Sequence, residues 1–210
     1  MNNKAKGILL PTILLLLGDF SGCRKYPILG KSPPKWEVGQ WVRYKTTSSP
    51  ASIEFSLVGK ETGDENETLF WLEIYEDYLD TPVILKLLVR EGLKERPKRI
   101  FLQNGKGPVA EVTEIQLFLE EIWKESLVPK EEGQVKESLA LPIGVLETLL
   151  YKIESEEGHV RIWTQENIPI WGIAKVSREG MELVVSDFGL SGAMPRMKEG
   201  PWVAQTLAPK

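Results

Sequence analysis

One thiol and one imidazole are the only groups of their kind in the 210-residue chain, which leaves few places for nucleophilic or acid–base chemistry. The thiol, Cys23, follows a basic start (Lys4, Lys6), an almost wholly apolar stretch from Ile8 to Leu17, and Phe20-Ser21-Gly22. Basic, apolar and small-residue regions in that order have the layout of a secretory signal. The apolar stretch falls short of the roughly 20 helical residues that a bilayer core demands. A simpler alternative is an ordinary signal peptide with a stray cysteine, or a buried apolar one. The imidazole, His159, follows Gly158 in a predicted turn. Any Ser-His-Asp or Cys-His site would have to use it, and no Gly-x-Ser-x-Gly elbow accompanies it. A solvated turn residue is the plainer reading.

Other arrangements fail on spacing. Zinc needs several His or Cys ligands, which one histidine cannot supply. Asp64, Glu65 and Glu67 cluster in one segment but lack the alternating acids and downstream Glu of a calcium loop. Asp187-Phe188-Gly189 matches a kinase tripeptide without a Gly-rich loop or catalytic-loop triplet. Gly105-Lys106-Gly107 lacks phosphate-loop spacing. Glu120 and Glu121, adjacent on a predicted helix, point to different sides. The sequence therefore predicts no catalysis, no metal and no cofactor.

Without residues 1–22 the chain has 188 residues, a size suited to one domain. Removing Lys4, Lys6 and Asp19 leaves 24 of 26 basic and 29 of 30 acidic residues, a formal charge of about −5. That balance excludes a nucleic-acid footprint and a polybasic membrane binder. With no second cysteine, stability must come from packing, and seven tryptophans suit that task.

The elements follow from periodicity. Residues 24–35, with Pro27, Gly30, Pro33 and Pro34, read as an extended tether carrying the body clear of a surface. From Trp36 the chain alternates with period two, bounded by Gly, Pro, Asn and Asp. Strands are predicted at 40–45, 52–58, 69–75, 83–89 and 98–103, an antiparallel meander signal. Val112, Ile115, Leu119 and Ile122, with Phe118 and Trp123 beside them, form an amphipathic helical stripe. Thr113 and Gln116 suggest a capping box, and Pro129 lies beyond the helix end. Strands then resume at 135–141, 146–154, 160–165, 172–178 and 181–188. Pro169 should break the ladder at an edge or a kink. Residues 190–210 read as a loose C-terminal tail, with Trp202 positioned to dock it.

The expected fold is α+β and mainly β. About ten strands would form a strongly curved antiparallel sheet, an incomplete barrel, with the helix Val112–Ser126 in its concave face. Phe55, Leu57, Phe70, Leu72, Ile74, Leu85 and Leu87 would line that face, and Phe118, Leu119 and Ile122 would seal it. Two readings stay open: a solid core, or a groove for an acyl chain. Trp71, Ile84 and Leu88 fall on the opposite face, which suggests a partner surface or cover by the tail.

Ser21-Gly22-Cys23 resembles the lipobox of bacterial lipoproteins, with Phe20 where Leu is commoner. That resemblance implies cleavage after Gly22 and a diacylglyceryl group on the Cys23 thiol. It also implies acylation of the new amino end by a fatty acid such as palmitate. Arg24 after the cysteine, where inner-membrane lipoproteins commonly have Asp, implies the outer membrane. Further motifs (Trp36, Gly39, Trp41 and Val42; Pro142-Ile143-Gly144; Trp163, Ile168-Pro169 and Trp171-Gly172) look like those of bacterial envelope lipoproteins. The architecture is similar to the half-barrel of the lipoprotein carriers and receptors (LolA/LolB-like), which hold acyl chains between a curved sheet and a helical lid. No ligand-contacting residue of those carriers maps onto this chain. The expected function is a lipid-anchored envelope protein, non-catalytic, that binds a lipid or acyl chain in the groove. The alternative is a structural or assembly module that docks an envelope protein.

Overall fold

The structure is a computed structural model, and it describes residues 34–47, 50–77, 81–93, 97–112, 132–155, 158–178 and 180–197. Cys23, the leader, most of the tether, the expected helix with Phe118, Leu119 and Ile122, and Trp202 lie outside the described residues.

The body is mainly β. Eleven strands follow in chain order: β1 (Trp41–Thr46), β2 (Ser52–Thr62), β3 (Thr68–Asp77), β4 (Val83–Arg90), β5 (Arg99–Asn104), β6 (Ala110–Glu111), β7 (Glu132–Leu141), β8 (Gly144–Ser155), β9 (Gly158–Thr164), β10 (Ile173–Arg178) and β11 (Met181–Gly189). They form one antiparallel sheet in the order β6-β5-β4-β3-β2-β1-β11-β10-β9-β8-β7. Each neighbour in space is a neighbour in sequence, except that β1 meets β11. That pairing turns two meanders into one sheet. The edges β6 and β7 do not pair with each other, so the sheet is open, although it curls far enough for β7 to approach β11.

The ten predicted strands all form, and the eleventh is the two-residue β6. Short turns fix the register. Leu141 pairs with Gly144 across Pro142-Ile143, Ser155 with Gly158, and Arg178 with Met181. Alternation then divides the side chains. On β1–β5, Val42, Tyr44, Ile53, Phe55, Leu57, Phe70, Leu72, Ile74, Leu85, Leu87, Val89 and Ile100 share the inner face. They belong to one core cluster that also takes in Ile162, Val176, Leu183 and Val185 from the other half of the sheet. A single cluster can unite strands so far apart in the sheet only because the sheet is curved around it.

Gly39 turns the chain into β1 with φ +101°, a conformation that glycine adopts without steric cost. Its N–H donates to the Leu57 carbonyl, and its own carbonyl accepts from Ala193 N–H, at 2.7 and 2.8 Å. The turn sends Trp36 to the inner face and Trp41 to the outer one. Trp41 packs directly on Gly189, where any Cβ would collide with the indole nitrogen. The Trp36/Gly39/Trp41 spacing thus fixes a corner at the seam of the two meanders.

Candidate functional site

The inner face is the site expected from sequence, and the structure brings its seven described members together. Phe55, Leu57, Leu72 and Leu87 are fully buried, and Phe70, Ile74 and Leu85 are at most 7% exposed. They are covered by Trp36, ahead of β1, and by Trp171, in the loop between β9 and β10. Trp36 sits edge-on to Phe70 and to Trp171, with centroids at 5.6 and 5.4 Å. Trp171 is edge-on to Phe55, and Phe55 to Tyr44. Edge-to-face rings at such distances attract beyond their area burial.

The loop between β9 and β10 enters this cluster. Ile168 and Ile170 are fully buried, and the Ile170 carbonyl accepts from Trp36 Nε1 at 2.9 Å. Trp171 N–H donates to the Pro169 carbonyl at 2.8 Å, closing a three-residue turn with Ile170 at φ +69°. A β-branched residue at positive φ is costly and persists only where packing over-determines it. Pro169 therefore marks an inward kink between two interior strands, not a sheet edge. Tyr44 Oη donates to the Ile173 carbonyl at 3.1 Å, and burial pushes that hydroxyl far above its usual range.

One carboxyl stands on this apolar face. Glu76, in line with Phe70, Leu72 and Ile74 on β3, is 3% exposed and lies between Ile53 and Val83. Its Oε2 has no hydrogen-bond partner among the described residues. Burial pushes the carboxyl up to about 7.

The outer face of β1–β4 differs in kind. Leu69, Trp71, Ile84, Leu88 and Phe101 form a second apolar cluster, closed by Met197. The segment 190–197 (hereafter the strap) crosses this face. Glu73 anchors it, accepting from the backbone N–H of Arg196 at 2.8 Å and of Met197 at 3.3 Å. Glu73 also pairs with Lys86 at 3.3 Å, both side chains 1% exposed. Burial pulls the Lys86 ammonium down to about 8, with Glu73 opposing. Glu54 is the second anchor. Arg196 Nε and Nη2 donate to its Oε1 at 3.3 and 2.7 Å, and Arg43 Nε and Nη2 to its Oε2 at 3.1 and 2.5 Å. Ser56 Oγ adds a bond to Oε1 at 3.2 Å. Burial alone would raise the Glu54 carboxyl, but the Arg196 and Arg43 bonds and charges outweigh it and hold it below its usual range. The Arg196 guanidinium lies 4.1 Å from the Tyr75 ring centroid, and Arg43 5.4 Å from that of Trp41.

The remaining sequence candidates are scattered. His159 is exposed on β9 opposite Glu154. Asp64–Asn66 form a single 3₁₀ turn, and Glu67 pairs with Arg90 and Lys98. Asp187 and Phe188 lie within β11. Among the described residues no group of three His, Cys, Asp or Glu is placed to hold a metal, and no helix is long and apolar enough to cross a membrane. Cover of the outer face by the tail was one of two sequence readings; what sequence reading missed is that residues 190–197 are held in place there, and by Glu73 and Glu54. The one signal for that cover was the outward-facing Trp71, Ile84 and Leu88, which Met197 covers in part. No protein family, no curated protein and no solved structure matches this chain.

Proposed function

We propose that the chain is a membrane-anchored lipoprotein of the bacterial envelope whose body is a non-catalytic docking module. The anchor rests on the leader and Cys23, by resemblance to the lipobox, and Arg24 favours the periplasmic face of the outer membrane. Two or more acyl chains would hold it stably, where one would not. The observation that carries the docking reading is the inner face. Its seven described lining residues are packed against Trp36, Ile168, Ile170 and Trp171, so the chain's own aromatic side chains stand where an acyl chain would lie.

Acyl-chain binding in a carrier-like half-barrel is the second reading. It has the helix expected over Val112–Ser126 as lid, and one observation in its favour. Val112, Leu139, Leu141, Ile143 and Leu146 pack against the core yet stay only partly buried. The core is thus less covered at the β7–β8 end than under Trp36. Each methylene buried there would contribute about 0.8 kcal/mol.

Membrane fractionation tests the anchor. Cys23→Ser should leave the body folded, release it from the membrane fraction and abolish labelling by a fatty acid, and persistence in the membrane fraction or continued incorporation of the label would overturn the lipoprotein reading.

A further inference from the structure

A groove of about 620 Å³ opens between the strap and the outer face. Trp41 and Arg43 of β1, Glu54 of β2, Tyr75 of β3, Ile84 of β4 and Arg196 of the strap line it. Its volume falls within the roughly 300–1,000 Å³ of small-molecule sites, and it has their make-up of apolar walls with a few convergent polar groups. We propose that this groove binds a carboxylate carried on an apolar chain or ring. The site is separate from the inner face and does not depend on what that face holds.

The charge count sets the sign of the ligand. Among the lining residues two guanidinium groups oppose one carboxylate, leaving one positive charge in excess. Both Glu54 oxygens already accept hydrogen bonds, Oε2 from Arg43 and Oε1 from Arg196 and Ser56. A cationic ligand would have to displace an arginine to reach that carboxylate. Donors are in surplus: each guanidinium uses Nε and Nη2 on Glu54, and neither Nη1 has a partner among the described residues. The planar guanidinium fork matches a carboxylate in two-point geometry. Glu54 and the aromatic rings fix both forks before a ligand arrives, which lowers the ordering cost of binding.

The apolar body has its own wall. Trp41, Tyr75 and Ile84 form the floor, and Met194, itself 77% exposed, stands at the rim on the strap. The strap also makes the site conditional. Arg196 contributes one fork and is held by its backbone N–H on Glu73 and its guanidinium on Glu54. Ligand and docked strap therefore favour each other, because a ligand that binds only the docked form must stabilise it.

Calorimetric titration of the full chain in lipid nanodiscs, with empty nanodiscs as reference, tests this. The probes are hexanoate and N-acetyl-L-phenylalanine, each beside its neutral amide, and inorganic phosphate. Saturable heat from either acid, with the amides and phosphate at least about tenfold weaker, is the expected result. Preference between the two acids tells an aliphatic from an aromatic body. Arg43→Gln, which does not hold the strap, should weaken the preferred acid about tenfold. Lys175→Gln, in the other half of the sheet, should bind as the parent does. Trp41→Phe should remove the fluorescence change on binding. Amides as tight as acids, phosphate as tight as either acid, no saturable heat, unchanged affinity in Arg43→Gln or an unchanged signal in Trp41→Phe would each overturn the proposal.

Discussion

The two faces of the sheet solve the same problem with opposite chemistry. The inner face of β1–β5 buries aliphatic and aromatic side chains almost alone, with the Glu76 carboxyl the exception. The outer face of β1–β4 also lies buried, but three of the side chains it hides are charged: Glu54, Glu73 and Lys86 are 7%, 1% and 1% exposed. Hydrophobic burial is non-directional, so the inner cluster fixes curvature without fixing any single partner. Buried charges demand particular partners. Glu54 and Glu73 therefore determine where the strap lies, through named backbone and guanidinium donors. The inner face provides stability, and the outer face provides position.

The sharpest way to break that contrast is to truncate each face in turn. Phe55→Ala, which removes a fully buried ring touching Trp171 and Tyr44, should cost about 3–5 kcal/mol in denaturant unfolding. Lys86→Met alone should cost a similar amount, about 3–5 kcal/mol, because it strands the Glu73 carboxylate. The double change Glu73→Leu/Lys86→Met separates the faces. A buried ion pair replaced by apolar groups is often neutral or stabilising. Here Glu73 also accepts two strap N–H groups, so the pair should recover most of the loss of the single change but leave the strap looser. Hydrogen exchange at Arg196 and Met197 would show it. Full recovery together with unchanged strap exchange would contradict Glu73 as an anchor.

The pH dependence should run in opposite directions on the two faces. The Glu76 carboxyl is raised to about 7 in the fold, so between about 4.5 and 7 the folded chain holds a proton that the unfolded chain releases. Its contribution is fully favourable below about 4.5 and fades as pH rises through 7. Glu76→Gln should raise the melting temperature at pH 8 and change little at pH 4. Glu54, held below its usual range, contributes stability above its unfolded value that is lost as pH falls through its folded one. Arg196→Ala should weaken that acid-side loss and cost about 1–2 kcal/mol at neutral pH, in keeping with a hydrogen bond to a charged group. The smallest effect should come from Arg99→Ala, whose pairing with Glu111 at 2.9 Å lies on the surface. A shift beyond about 0.5 kcal/mol there would be unexpected.

Much of this sheet was legible in the sequence because alternation and turn chemistry are local. Ser52–Val58 and Val83–Val89 declare their faces by period two, and Gly180 with φ +83° sits where a tight hairpin needs it. β6 was not legible, since two residues carry no period. The inward loop was half legible. Pro169 announced a break, but nothing local says that Ile168, Ile170 and Trp171 turn into the core. The strap was legible only as one of two alternatives, cover of the outward apolar residues by the tail, and its path and anchors were not legible. Residues 190–197 have no periodicity, and their binding partners lie more than 120 positions away. What the sequence did carry was the anomaly they resolve, apolar residues at outward positions of β3 and β4. The likeness to carrier half-barrels pointed to an open, curved, helix-lidded sheet. The open sheet is present, and the helix that periodicity predicted over Val112–Ser126 falls, past Val112, outside the described residues.

A filled inner face should leave no room for a guest. Native mass spectrometry on the exported body, residues 24–210 without Cys23, tests it most directly. The expected result is the bare polypeptide mass, with no species extracted into organic solvent. A discrete added mass that organic solvent extracts as lipid would contradict it and return the inner face to the acyl-binding reading.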